Sequence, residues 1–306
     1  MTASNLFWIL TLQFLFGLNY LVSKTIVLHY TPFTWAFARS FFTAFVLLMV
    51  IFFRKETRFR EVLARKKDFM LLALTGIILN QACFLLGLKF TTSYNSALIN
   101  TLIPICTLAI AAIKGFESIK SKQIIGAAIA LCGVFVLTPP SQFNFSNKHL
   151  VGDLLTVGNV LAYSTYLVLN REFVKNHSPL WTTAWVFLFG SVGLFLCAFQ
   201  DLPPHFFTVP PAPVQRALAY GLVGGTLVPY IILSYALKHT KSSNVALFVY
   251  LQPAIVGGLG ALFYDHHFTK ESLFATFLIF TGVFVATQYP RKTSNAECRQ
   301  SQETMT

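Results

Sequence analysis

Two cations stand inside long apolar stretches of this chain: Lys24, near the end of the first stretch, and Arg39, deep within the second. A charge in hydrocarbon is costly and usually faces a cavity or a partner. No carboxylate shares either stretch, so the chemistry on offer is attraction of an anionic group, a carboxylate or phosphate carried by a small-molecule substrate. For Lys24, snorkelling to the nearby interface is the stronger competing reading. For Arg39, deeper in its span, a cavity or structural ion-pair role is the favoured reading. Intramembrane amides accompany them: Gln13, Asn19, Asn80, Gln81, Asn100, Asn159 and Gln252. Each needs a partner once buried, so they either bond between helices or line a wet path. Asn100 and Gln252 lie close to Pro104 and Pro253. Proline frees a carbonyl and bends a helix, which leaves paired hinges and static kinks both open. Tyr163, Tyr166, Tyr230, Tyr235, Tyr250 and Trp185 are candidate cavity walls, and Trp8 and Trp181 candidate interface anchors. The candidate substrate-binding set is therefore Asn19, Lys24, Arg39, Asn80, Asn100, Tyr163, Tyr230, Tyr250 and Gln252, with Pro104 and Pro253 as candidate hinges.

Other chemistries are poorly served. Asp265-His266-His267 has no third spaced ligand and reads as solvated polar residues, so no metal is expected. The five cysteines, Cys83, Cys106, Cys132, Cys197 and Cys298, show neither ligand spacing nor a disulfide framework. No G-x-x-x-x-G-K-[ST] loop occurs, so neither an ATP-driven pump nor any cofactor is expected. Gly190-Ser191-Val192-Gly193 does not fit an intramembrane serine protease, and an aspartyl type would need two buried Asp. An enzyme is the weakest alternative, and a non-transporting membrane scaffold is the other. A proton relay would want an intramembrane carboxylate. Asp153 is the nearest candidate, which leaves uniport, exchange and proton antiport open.

These residues need elements that hold them in lipid. Of 306 residues, 55% are hydrophobic and only 11% charged, against about 25% charged in soluble domains. The apolar runs are continuous and close to the ~20 residues that cross a bilayer. They lack the alternation of barrel strands. Runs at 6–27, 33–53, 69–88, 96–113, 122–138, 151–170, 180–199, 217–237, 245–263 and 272–288 predict an all-α integral membrane protein with ten transmembrane helices. The first run follows no basic segment and is long for a signal core, so its retention is expected. With the N-terminus inside, seventeen of the 23 Lys and Arg fall in inside segments and four (Lys89, Lys148, Arg216 and Lys270) in outside loops. This positive-inside asymmetry predicts a multi-pass cell-membrane protein, in the cytoplasmic or inner membrane if bacterial, with both termini cytoplasmic. It accounts for the net charge of +12 without nucleic acid, and with membrane lipid as the partner.

Shifted by 149 residues, the chain repeats itself. Leu88-Lys89 falls on Leu237-Lys238, and Thr91, Ser93 and Asn95 on Thr240, Ser242 and Asn244. Pro104 falls on Pro253, and Gly133-Val134-Phe135-Val136 on Gly282-Val283-Phe284-Val285. Upstream, Tyr20-Leu21-Val22 matches Tyr166-Leu167-Val168, and Pro32 matches Pro179. Five helices per unit would invert the second unit in the membrane, a recurring plan of secondary transporters. Gly126, Ala130 and Gly133 form a small-residue stripe echoed by Gly282 and Ala286. Such stripes allow close helix contact, within the monomer as the preferred reading or in a homodimer.

Phe16-Gly17 followed by Lys24, Ala38-Arg39, and Glu117 followed by Gly126 and Gly133 together resemble the EamA-type carriers of the drug/metabolite transporter superfamily. The second unit departs from that pattern at Asp265 and Ala275. The resemblance implies two repeats, 1–139 and 140–290, before a polar tail at 291–306. It also implies export or exchange of amino acids or related metabolites through a central cavity by alternating access, and no enzymatic activity.

Overall fold

The computed structural model describes residues 3–137, 147–199, 210–264 and 270–287. Asp265-His266-His267, the 139/140 boundary and the 291–306 tail lie outside them. The described residues form helices and no strand. In chain order these are α1 (Ala3–Val27), α2 (Pro32–Phe53), α3 (Lys66–Phe90), α4 (Ser93–Ile113), α5 (Ser121–Leu137), α6 (Asn147–Val174), α7 (Pro179–Ala198), α8 (Ala212–His239), α9 (Ser242–Leu247, continuing to Tyr264) and α10 (Lys270–Thr287). A short helix, Phe59–Ala64, lies between α2 and α3. Among the described residues seven helices are long and apolar enough to cross a membrane: α1 to α4 and α7 to α9. The apolar parts of α5 and α10 are shorter. α6 has the length, but Asp153, Asn159, Asn170 and Arg171 dilute its apolar character.

Local chemistry sets the helix starts. Thr31 is extended and its hydroxyl accepts the Thr34 N–H at 3.3 Å, with Pro32 in the first turn, where its missing N–H costs nothing. Thr92 caps α4 in the same way through Asn95 N–H at 3.0 Å. Pro179 opens α7 as Pro32 opens α2.

Four of the helices are interrupted in corresponding pairs. α3 and α8 each widen into a π-helical turn, Leu74–Leu79 and Val223–Leu227. α4 and α9 each tighten into a 3-10 turn, Asn100–Leu102 and Phe248–Tyr250. The cause of the tight turns is legible: Pro104 and Pro253 cannot donate to the carbonyl four residues back. The Asn100 carbonyl is taken instead by the N–H of Ile103, and those of Phe248 and Val249 by the N–H of Leu251. Each wide turn carries a glycine that lets another helix close in. A Cβ at Gly76 would overlap the Tyr166 ring of α6, and one at Gly225 the Asn19 side chain of α1.

The two ends of the chain interlock. α1 packs on α8 and α9, α6 on α3 and α4, α2 along α7, and α5 along α10. The last pair meets at the small-residue stripe. A Cβ on Gly126 would collide with Ala286, and one on Gly282 with the Ala130 backbone. The stripe is therefore an intramolecular seam. Trp181, expected as an interface anchor, is instead buried, and its indole N–H donates to the Thr57 carbonyl at 3.0 Å. Trp8 is half exposed.

Gly282→Leu should overpack the α5–α10 seam, costing about 1–3 kcal/mol, while Gly260→Ala, whose Cβ position is open, should be neutral. Thermal unfolding of the detergent-solubilised variants checks both, and equal midpoints would contradict this packing.

Candidate functional site

The interruptions place polar side chains at the centre of the bundle. Asn80 follows the wide turn of α3, Tyr230 follows that of α8, and Asn100 and Gln252 sit at the tight turns of α4 and α9. With Asn19 and Tyr20 of α1, Arg39 of α2, and Asn159 and Tyr163 of α6, they surround a small cavity of about 60 Å³. Phe16, Phe84, Ile103 and Gly225 complete its wall. An aromatic wall with a few convergent polar groups is the make-up of a small-molecule site.

A hydrogen-bonded relay crosses this space through six helices. The Tyr230 hydroxyl donates to Asn80 Oδ1 (3.0 Å), and Asn80 Nδ2 to Asn159 Oδ1 (2.7 Å). Asn159 Nδ2 donates to Asn100 Oδ1 (2.8 Å), and Asn100 Nδ2 to the Tyr20 hydroxyl (2.7 Å). That hydroxyl donates to Gln252 Oε1 (3.0 Å), whose Nε2 donates to Gln13 Oε1 (2.7 Å). Every donor points the same way along the chain. All seven residues are buried, and their mutual satisfaction is what makes them tolerable there.

Arg39 stands beside this relay and is not part of it. It is 3% exposed. Its Nε donates to Gln81 Oε1 at 2.7 Å, and Ser40 donates to the same oxygen at 3.1 Å. No carboxylate accompanies it among the described residues, and its remaining N–H groups have no partner there. A guanidinium carries five such donors in a planar fork that matches a carboxylate.

Lys24 is not brought to the cavity. Its ammonium donates to the carbonyls of Leu88 (2.5 Å) and Thr91 (2.7 Å), closing the C-terminal end of α3. Such carbonyls have no partner within their own helix, and a cation suits that end of the dipole. Arg171 repeats the device on the equivalent turn, donating to the Thr240 carbonyl at 3.2 Å. A carboxylate from the other half of the chain also reaches each turn. Asp153 accepts from the Thr91 hydroxyl at 2.8 Å. Glu117 accepts from the Ser242 N–H (2.9 Å), the Ser242 hydroxyl (2.6 Å) and the Ser243 hydroxyl.

Comparison with known proteins now bears on these two halves. The sequence profile of the EamA-like transporter family matches residues 3–138 and again residues 150–288. The chain belongs to the EamA-like transporter family. This transporter is 27% identical over 241 residues to the uncharacterized transporter YyaM of Bacillus subtilis, spanning 78% of this chain and 79% of that protein. It is 24% identical to a WAT1-related protein of Arabidopsis thaliana, over 77% of this chain and 71% of the other. A solved crystal structure shares the fold, with a TM-score of 0.74 at 17% identity over 94% of this chain and 97% of that one.

Of the residues singled out by sequence in this EamA-like transporter, the structure brings Asn19, Arg39, Asn80, Asn100, Tyr163, Tyr230 and Gln252 to one cavity. Lys24 lies away from it. So does Tyr250, which is fully buried with a sealed hydroxyl that finds no partner among the described residues. Of the other candidate walls, Tyr166 packs on Gly76, Trp185 donates to the Thr57 carbonyl at 3.3 Å, and Tyr235 is exposed. Sequence reading passed over Phe16, Tyr20 and Phe84 as cavity groups. Tyr20 was visible through its match to Tyr166, and the two tyrosines then play different parts.

Two outcomes follow. Asn159→Leu should strand Asn80 Nδ2 and Asn100 Oδ1, lowering stability by about 1–3 kcal/mol, read by chemical unfolding in mild detergent. Lys24→Met should cost a similar amount yet leave the concentration dependence of transport unchanged. A shift in apparent substrate affinity with Lys24→Met would return that residue to the site.

Proposed function

We propose that this transporter is a secondary carrier that exports or exchanges small metabolites, amino acids or related carboxylates, by alternating access through the central cavity. The observation that carries the reading is the cavity itself. It lies between the two profile-matched halves, takes α1 to α4 from one and α6, α8 and α9 from the other, and holds a buried cation with unused donors. A buried polar network with no cavity and no unneutralised charge would serve packing alone.

The architecture under this proposal is ten spans in two inverted repeats, with both termini cytoplasmic. The charge asymmetry of the loops supports it, as do the paired interruptions of α3 with α8 and α4 with α9. In that topology the Thr91 and Thr240 turns lie on opposite membrane faces. Each is tied by a cation of its own half and a carboxylate of the other. Such ties are suited to closing one face while the other opens, with Pro104 and Pro253 as the places where α4 and α9 bend.

The test is reconstitution in liposomes loaded with a metabolite mixture, with exchange followed by mass spectrometry. Selective exchange above protein-free liposomes is expected, and Arg39→Ala should lower it by about tenfold or more, as the loss of one charge-assisted contact of roughly 1.5–3 kcal/mol requires. Folded protein that moves nothing across a broad panel would instead indicate a scaffold.

A further inference from the structure

We propose that the substrate carries one net negative charge: a small monocarboxylate with an apolar or aromatic body, in preference to a zwitterionic amino acid. This rests on the carrier reading above and narrows it.

The first ground is the charge count. Arg39 is the one charged side chain lining the cavity among the described residues. Lys24 is committed to the end of α3, Asp153 to Thr91, and Glu117 to Ser242 and Ser243. Aligning Pro32 with Pro179 places Val186 opposite Arg39 in the second half, and Val186 is buried and apolar. Symmetry therefore supplies no second cation and no acid. A bound monoanion neutralises the site. A zwitterion would add an ammonium to a space that already holds an unpaired guanidinium, and a doubly charged phosphate would leave surplus negative charge in low dielectric.

The second ground is which hydrogen-bonding groups are spare. An ammonium needs acceptors. Each amide oxygen lining the cavity has one of its two lone pairs engaged already: Asn80 accepts from Tyr230, Asn159 from Asn80, Asn100 from Asn159, Gln252 from Tyr20. Asn19 Oδ1 accepts from Ser23 at 3.0 Å, and Gln81 Oε1 from both Arg39 and Ser40. The charge-assisted spare capacity lies with the remaining donors of Arg39, which fit a carboxylate, and beside them Gln81 Nε2 is a buried donor without a partner among the described residues. Aromatic faces can receive an ammonium, but here only in the space shared with Arg39, where like charges repel. Those same walls, Phe16, Phe84 and Ile103, suit an apolar body.

The experiment uses the full chain in liposomes and matched sets of one carbon skeleton: phenylpyruvate, phenylalanine and phenylethylamine, then the keto acid, amino acid and amine of leucine and of alanine. Uptake is corrected with protein-free liposomes, and the metabolite mixture is run alongside and sorted by charge. Keto acids should exchange about tenfold or more faster than their amino acids, the scale of one charge-assisted contact, and Arg39→Gln should erase the difference. Gln252→Glu keeps the proposal testable if that variant misfolds. Its new carboxylate can accept from Tyr20 and from a turned Gln13 amide, and it should move the preference toward the amino acids. Amino acids exchanging as fast as keto acids in the unaltered protein would overturn the assignment and leave the carrier reading standing. Movement only of neutral, cationic or multiply charged compounds would overturn it equally. No exchange of any compound would remove the carrier reading, and the assignment with it.

Discussion

Hydrocarbon offers neither donor nor acceptor, so a polar group inside this bundle must find its partner within the protein or in what the protein binds. That constraint organises the centre of the molecule. The relay from Tyr230 to Gln13 satisfies seven side chains on six helices, and it works only if α1, α3, α4, α6, α8 and α9 hold one arrangement. Asn159 shows the dependence most plainly. It donates to one amide and accepts from another on two helices of the opposite half, so any slide of α6 against α3 and α4 breaks both bonds at once. Neutral groups such as the Tyr250 hydroxyl and Gln81 Nε2 also lack partners among the described residues, but Arg39 is the charged group at the cavity for which the constraint is incompletely met from within.

The backbone makes room for this network by departing from regular helix where the two halves correspond. Wide turns in α3 and α8 reposition Asn80 and Tyr230, and tight turns before Pro104 and Pro253 reposition Asn100 and Gln252. The two halves share these deformations but not their side chains. Asn80 corresponds to Pro229, and Arg39 to Val186. These paired backbone features are shared while the chemistry of the site is one-sided, which gives a single cation at the cavity among the described residues.

Lys24 and Arg39 illustrate how tertiary context divides like residues. Both are cations within apolar helices, and neither has a carboxylate nearby in its own span. Lys24 sits within reach of carbonyls exposed by the end of α3, so its ammonium completes a helix terminus. Arg39 finds only an amide oxygen as hydrogen-bond acceptor among the described residues. The carbonyls that decide the matter belong to a segment more than sixty residues away, and no local pattern could reveal them. Glu117 likewise gains its role, capping the start of α9, only from the fold.

The sequence alone determined the helical class, the approximate limits of each apolar run, the internal correspondence at 149 residues, and the family. These depend on hydropathy, charge and spacing, which are local or periodic properties of the chain. It also named most of the cavity's polar residues, because an amide or guanidinium in an apolar run is conspicuous wherever it points. Only the tertiary structure decided which of them meet. Tyr250 and Gln252 stand two residues apart, about 200° around a helix, so they face different sides of α9, and the packing decides that one side is sealed and the other meets the cavity. Tyr20 joined the relay, and Tyr166, its counterpart, did not, because Gly76 admits the ring of the second and Asn100 reaches the hydroxyl of the first. Facing direction is set by helix rotation and by the partner across the interface, and both are properties of the assembled bundle.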